Sequence, residues 1–147
     1  MKILHVFDQF LNQTMNWVHR LMNATDVQHY VSSLIYVQHA FEMKDVNVHI
    51  TPLQKIMKTA STEWDVRLHH RLYQKMARSY HLSSIKRYIE ENRIDIVHFH
   101  FATTAALMSE MLDWPIKTVV SFYGFDYRHA LLAKPELKVS YQKIFEK

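Results

Sequence analysis

Short apolar runs rich in β-branched residues alternate along the chain with longer segments whose apolar positions recur at helical spacing. The short runs predict strands at residues 3–7, 30–37, 46–50, 94–99 and 116–122. The helical spacing predicts helices at residues 15–23, 62–80, 83–92, 105–112, 127–133 and 136–145. Ser83 has the residue type and position of a helix cap. The first helix carries Trp17, Val18, Leu21 and Met22 on one face.

This alternation predicts an α/β fold of the Rossmann-like, three-layer α/β/α type, with a mainly parallel sheet and right-handed crossovers. Residues 94–99 are almost continuously apolar, which is typical of a parallel strand covered on both faces. A chain of 147 residues has room for one such domain. Since ligands bind beyond the carboxyl ends of parallel strands, residues 8–14, 100–104 and 123–126 are the candidate binding loops.

The scarcity of glycine and the absence of cysteine exclude several classes of binding and catalytic site. Gly124 is the single glycine, so the chain has neither G-x-G-x-x-G nor the phosphate-binding G-x-x-x-x-G-K-[ST] loop, each of which needs at least two. The absence of cysteine excludes disulfides, thiolate nucleophiles and cysteine-ligated zinc or iron–sulfur sites. It also favours a reducing, cytoplasmic compartment.

The two ends of the chain carry weaker signals. The apolar run at residues 3–7 is too short for the apolar stretch of a signal peptide. No run approaches the length of about 20 residues that spans a bilayer. The helical pattern at residues 139–147 stops without a glycine or asparagine cap. We therefore expect the 147 residues to be the front part of a longer chain.

A basic segment lies at residues 66–89, which hold six Lys or Arg side chains and no acidic residue in a chain of net charge +4. On a helical wheel four of these side chains fall within about 80° of one another, beside an apolar arc. Such an edge is typical of an ordinary surface helix or of one that meets an anionic surface such as lipid headgroups. Nucleic acid is not predicted as a partner, because no nucleic-acid-binding module accompanies the stripe. The candidate membrane or anion contacts are Arg67, Arg71, Lys75 and Arg78.

Eleven histidines raise the question of a metal ion. His98 and His100 lie two residues apart in a predicted strand, so their side chains project from the same face, a spacing compatible with shared ligation. His69 and His70 are adjacent on a predicted helix and point about 100° apart, which suits shared ligation poorly. Nothing nearby in sequence supplies a third ligand for the first pair. We therefore predict no metal site, since hydrogen bonding, catalysis or packing is more typical of a histidine at the end of a strand.

Two segments carry a more specific signal. The first reads I-D-I-V-H-F-H-F-A-T-T at residues 94–104, and the second reads V-V-S-F-Y-G-F-D at residues 119–126, with Pro115 ahead of it. Together they resemble the core pattern D-[IV]-[IV]-H-x-H-F … P-x-[VK]-x-[ST]-F-H-G-x-D of family 4 glycosyltransferases. The segment L-N-Q-T-M at residues 11–15 is similar to the S-E-T-F-[IV] start of that family's N-terminal domains.

The resemblance implies that the chain is the N-terminal, acceptor-binding half of a GT-B enzyme that retains anomeric configuration and needs no metal. A nucleotide-sugar donor would bind the C-terminal half, which would lie beyond this chain. The acceptor would be a sugar or a lipid-linked molecule, reached from the cytoplasm at the inner face of the membrane. The resemblance makes His100 and Asp126 candidate catalytic residues. The candidate acceptor-binding residues are Asn12, Gln13, Thr14, Phe101, Tyr123 and Gly124.

Tyr123 departs from the family pattern, which most often has histidine before this glycine. A tyrosine hydroxyl forms hydrogen bonds but is a poor base at neutral pH, so we expect Tyr123 to stack against a sugar ring. Gly124 would let the backbone approach the sugar closely because it lacks a Cβ. The alternative is that Gly124 merely ends a strand.

Three functional hypotheses stand at this point. The first is the acceptor-side domain of a glycosyltransferase, unable to transfer sugar alone. The second is a non-catalytic α/β module that docks on an anionic membrane or a partner protein through residues 66–89. The third is a small hydrolase that holds a metal near His98 and His100.

Overall fold

The computed structural model describes residues 1–9, 16–35, 46–49 and 78–147. The predicted helix at residues 62–80 lies outside these ranges except for its last three residues. The predicted site residues that also lie outside them are Asn12, Gln13, Thr14, Arg67, Arg71 and Lys75.

Five strands of the described residues form one sheet in the order β3-β2-β1-β4-β5, and every neighbouring pair is parallel. The order reverses between β1 and β4, so that the chain winds away from β1 in both directions. The predicted strands are confirmed within the described residues, with ends that differ by one or two residues, while residues 36, 37 and 50 of the predictions lie outside the described ranges. They are β1 (Lys2–Gln9), β2 (Gln28–Ile35), β3 (Asn47–His49), β4 (Ile96–His100) and β5 (Lys117–Ser121).

Among the described residues, helices follow β1, β3, β4 and β5 along the chain. A 3-10 turn, Ser109–Asp113, follows the third helix, and a π-helical turn, Asp126–Ala130, leads into the fourth. None of the helices in the described ranges has the length and apolar character that crossing a bilayer requires. The helices are α1 (Asn16–Asn23), α2 (Arg78–Asn92), α3 (Ala102–Leu107), α4 (Leu131–Ala133) and α5 (Leu137–Phe145).

The two faces of the sheet pack against different helices. Side chains of α2, α3 and α5 cover one face, where Leu4 and Phe99 are buried in the larger apolar cluster. On the other face α1 packs Val18 against Phe7 in a smaller cluster. Helices on both faces of a parallel sheet make the three-layer α/β/α, Rossmann-like architecture that the sequence predicted. We call the first the apolar face and the second the histidine face, because the histidines described below stand on it.

Two details of the helix predictions were wrong. The predicted break between residues 80 and 83 does not exist, since α2 is continuous and the Ser83 hydroxyl donates to the Ser79 carbonyl at 2.8 Å instead of capping a helix. The helix predicted at residues 105–112 begins three residues earlier, as α3, and gives way to the 3-10 turn. On the apolar face of α1, Val18 and Met22 are buried, whereas Leu21 is 42% exposed.

Candidate functional site

The chain turns from β4 into α3 at Phe101, whose backbone has φ 87° and ψ 130°. A bulky residue rarely adopts a positive φ, and the strain costs on the order of 1–3 kcal/mol, so surrounding contacts must hold it. The Phe101 N–H donates to the carbonyl of Ser121 at 3.2 Å, and its ring centroid lies 4.8 Å from that of Tyr123. The turn therefore fixes the end of β4 against the end of β5.

Asp126 ties the loop after β4 to the loop after β5, and its side chain is fully buried. One carboxylate oxygen accepts from the backbone N–H and the hydroxyl of Thr103, each at 3.2 Å. The other accepts the backbone N–H of Tyr123 at 2.9 Å. A buried carboxylate whose two oxygens are both engaged holds its neighbours in place. The geometry makes Asp126 a clamp between the two loops, and the catalytic role suggested for it stays a prediction.

An aromatic group gathers at the carboxyl edge of β4 and β5. The Trp17 ring of α1 lies 5.0 Å from the Tyr123 ring and 5.8 Å from the His100 ring. Phe7 of β1 stacks on His100 at 4.4 Å with an interplanar angle of 8°. The structure therefore brings together His100, Phe101 and Tyr123 from the predicted site. It adds Trp17, which the sequence assigned only to the apolar face of a helix.

Gly124 lies exposed in the loop after β5. Its φ is not positive, and a Cβ built on it would meet only the Tyr127 hydroxyl, at an ordinary 3.7 Å. The fold therefore does not itself require glycine at this position. Close approach of a sugar to the Gly124 backbone stays a prediction.

A chain of hydrogen-bonded histidines starts at Tyr123 and crosses the histidine face. The Tyr123 hydroxyl lies 3.2 Å from Nδ1 of His100, whose Nε2 lies 2.9 Å from Nδ1 of His5. Nε2 of His5 lies 3.0 Å from Nδ1 of His29, whose Nε2 lies 3.0 Å from Oγ1 of Thr25. Both ring nitrogens of His5, His29 and His100 thus form hydrogen bonds within this histidine network.

The direction of donation follows from the Thr25 end. The Thr25 hydroxyl donates to backbone carbonyls in the last turn of α1 at 3.3 Å, so its oxygen accepts from Nε2–H of His29. A neutral imidazole donates through one nitrogen and accepts through the other, so the direction propagates. His5 and His100 then also carry their proton on Nε2, and Tyr123 donates its hydroxyl proton to His100.

Burial keeps His5, His98 and His100 neutral. Burial, with smaller effects from His98 and His29, lowers the pKa of His5 to about 3. Burial, with smaller effects from His98 and His5, lowers the pKa of His100 to about 2, and burial also lowers the pKa of His98. Burial raises the pKa of Tyr123, so its hydroxyl stays protonated. At physiological pH, His5, His100 and Tyr123 therefore form these hydrogen bonds in their uncharged states.

The prediction that His98 and His100 share a face is confirmed, since their ring centroids lie 4.0 Å apart. Nε2 of His98 also lies 2.8 Å from the hydroxyl of Ser121 on β5. On β1, His5 is the register partner of His98, so a third imidazole joins the pair. Sequence reasoning missed His5, although its position between two buried aliphatic residues of β1 already placed it on the opposite face from them.

The basic segment enters the described residues only at its C-terminal part. Arg78 is the first residue of α2, and Lys86 is exposed on that helix. Arg87 forms an exposed ion pair with Glu91 at 2.7 Å, four residues on. The other candidate anion contacts lie outside the described ranges, so docking through this segment stays a prediction.

No known protein-family model matches this chain, and a search of curated proteins finds no match. Function must therefore be inferred from the site itself.

Proposed function

We propose that this chain is the acceptor-binding domain of a GT-B glycosyltransferase similar to those of family 4. The whole enzyme would transfer a sugar from a nucleotide-sugar to a glycan or lipid-linked acceptor. The observation that carries the proposal is that the loops of both motif segments meet at one edge, clamped by Asp126. In parallel sheets ligands bind at the carboxyl edge where the strand order reverses, and β1 and β4 meet there.

His100 and Tyr123 supply the polar part of the proposed acceptor site. Because the Tyr123 hydroxyl donates to His100, its oxygen can accept a hydrogen bond from a sugar hydroxyl in addition to its hydrogen bond with Ser121. Since the pKa of His100 is lowered to about 2, it cannot act as a base at neutral pH. The pair would therefore orient the acceptor hydroxyl toward the donor sugar without removing its proton.

The aromatic rings supply the apolar part. Trp17, Phe101 and Tyr123 are each partly exposed, with the rings of the first two within 5.0 Å and 4.8 Å of Tyr123. The apolar face of a sugar ring packs well against such rings, while its hydroxyls reach the polar groups beside them. Stabilisation of the leaving diphosphate would come from the donor-binding half. The chain alone should thus bind acceptor without turning over donor.

Saturation-transfer NMR with methyl glycosides of glucose, galactose, mannose and N-acetylglucosamine tests the acceptor site. We expect at least one glycoside to receive saturation on its ring protons. Tyr123→Ala should weaken its binding about tenfold or more, because an aromatic anchor is lost. Tyr80→Ala is the matched control, since Tyr80 is an exposed tyrosine on α2.

Two results would contradict the proposal. One is that none of the four glycosides binds, or that Tyr123→Ala and Tyr80→Ala behave alike. The other concerns the missing half and uses UDP-glucose as the probe. Turnover of UDP-glucose by the isolated chain would show that the donor site lies within these 147 residues.

A further inference from the structure

Three imidazoles stand together on the histidine face, on two adjacent strands. His5 and His98 are direct register partners across β1 and β4, and His100 follows two residues further along β4. One ring nitrogen of each lies within 4.8 Å of the other two. Three histidine nitrogens with a fourth position open are a ligand set of catalytic zinc sites.

The spacing of two of these nitrogens already suits a metal ion. Zinc–nitrogen bonds of about 2.0–2.1 Å at tetrahedral angles place neighbouring ligand nitrogens about 3.4 Å apart. Nδ1 of His5 and Nε2 of His100 lie 2.9 Å apart around a shared proton. Small ring rotations that separate them by about 0.5 Å would admit an ion in place of that proton.

Each of the three rings also has an outer partner of the kind that orients metal-bound histidines. Such a histidine donates its second N–H to a neighbouring acceptor, which fixes the ring. Nε2 of His5 has His29 at 3.0 Å, and Nδ1 of His100 has the Tyr123 hydroxyl at 3.2 Å. His98 has the Ser121 hydroxyl at 2.8 Å.

The three histidines are buried to different degrees, which leaves one side of the group accessible. His5 and His100 are buried, and Phe7 stacks on His100. His98 is only half-buried, and its register partner on β5, Val119, is 46% exposed. An ion with a water ligand can therefore reach the three nitrogens from the β5 side.

We propose that His5, His98 and His100 form a site for a divalent transition metal ion, with zinc the best match for imidazole nitrogens in a tetrahedral set. The sequence predicted no metal because it showed only two ligands, and the tertiary structure supplies the third. At the fourth position a zinc ion would hold water or an oxygen of a small ligand. The site rests on the imidazole geometry and does not require that the chain bind a sugar, although it shares His100 with the proposed acceptor site.

Metal binding would also reverse a hydrogen bond at Tyr123. With the metal on Nε2, the single proton of the neutral His100 ring moves to Nδ1, so no proton is gained or lost by the ring. Nδ1–H then donates to the Tyr123 oxygen, and the Tyr123 hydroxyl turns outward as a donor. Occupancy of the metal site would thus change what Tyr123 offers at the carboxyl edge.

Calorimetric titration of Zn²⁺ into the full chain tests the proposal. We expect one equivalent of Zn²⁺ to bind. His98→Gln should weaken the Zn²⁺ affinity more than about 100-fold, which exceeds the effect of losing a hydrogen-bond partner of a ligand. Ser121→Ala should weaken it about 10-fold, because it removes such a partner. His129→Gln is the matched control, since His129 is an exposed histidine, and it should bind like the parent chain. Co²⁺ in place of Zn²⁺ should give the intense visible bands of tetrahedral coordination.

Binding of less than a tenth of an equivalent would overturn the proposal. Unchanged affinity in His98→Gln would also overturn it, because the ion would then sit on others of the 11 histidines. His98 is the ligand to replace because it is half-buried, and circular dichroism checks that the variant folds. If His98→Gln unfolds, Ser121→Ala provides the second test, because it leaves all three imidazoles in place. Glycoside binding measured on the same samples separates failure of this site from failure of the acceptor site.

Discussion

Along β1 and β4, successive side chains enter two different environments. On the apolar face Leu4 and Phe99 pack among the side chains of three helices. On the histidine face, one residue further along each strand, His5 and His100 join a chain of hydrogen bonds. The same backbone therefore carries a hydrophobic core on one side and a buried polar network on the other, because side chains alternate across a sheet.

The difference teaches which contacts hold the fold and which are available for function. Apolar packing needs only matching volume, and the larger cluster extends across α2, α3 and α5. The histidine network needs every partner, because an unpaired buried nitrogen is costly. Its last member, Tyr123, lies at the carboxyl edge, so the network connects the interior to the candidate site.

The largest expected effect is on the apolar face. Phe99→Ala should lower the free energy of unfolding by about 3–5 kcal/mol, since it removes a fully buried ring and leaves a cavity. Urea unfolding followed by circular dichroism measures the change. Phe125→Ala is the control, because Phe125 is exposed and its loss should stay within about 0.5 kcal/mol. Equal effects of the two variants would contradict the assignment of the core.

A smaller loss is expected on the histidine face. His5→Leu keeps an apolar volume but leaves Nδ1 of His29 and Nε2 of His100 without their partner, so it should cost about 1–3 kcal/mol. Urea unfolding again provides the measurement. A variant as stable as the parent chain would mean that these hydrogen bonds do not form.

The direction of the network can be checked without any substitution. Long-range ¹H–¹⁵N spectra of the histidine rings distinguish the two neutral tautomers. His5, His29 and His100 should all carry the proton on Nε2 in the metal-free chain. Protons on Nδ1 in all three would show that donation runs the opposite way, from Thr25 toward Tyr123 as the final acceptor.

His81 is an exception to this division, because it is a histidine that lies buried on α2, the helix that covers the apolar face. Burial, helped by His49, lowers the pKa of His81 to about 4, against an ordinary value of 6.5. Between pH 6.5 and 4, His81 is protonated in the unfolded chain but stays neutral in the folded chain. The free energy of unfolding therefore falls as the pH drops from 6.5 toward 4. Within this pH range, one such histidine lowers the free energy of unfolding by about 1.4 kcal/mol for each pH unit. Urea unfolding at pH 7, 6 and 5 should show a shallower loss in His81→Gln, and identical slopes would contradict this account.

The smallest expected effect comes from two neighbouring valines of β5. Val119 is 46% exposed on the histidine face, whereas Val120 packs against the apolar cluster. Val119→Thr should change stability by less than about 0.5 kcal/mol, and Val120→Thr should cost about 1 kcal/mol for burying a hydroxyl. Thermal unfolding of the pair measures the difference. A reversed order would mean that the two faces of β5 have been exchanged.

Local patterns predicted much of the fold. The strands followed from apolar, β-branched runs, and the shared face of His98 and His100 followed from their spacing of two. The failures were at helix boundaries. Ser83 has the residue type of a cap, but α2 continues through it because its hydroxyl is satisfied by the Ser79 carbonyl within the helix.

The sequence by itself determined the alternation of strands and helices, the class of fold and the residues that each strand turns to each side. Only the tertiary structure decided which strands are neighbours and in what register. Placing β1 beside β4 brings His5 against His98 across more than ninety residues of chain, and makes a pair of histidines into a group of three. Such contacts depend on the packing of the whole sheet, because periodicity within a strand says which face a residue occupies but not what lies across from it.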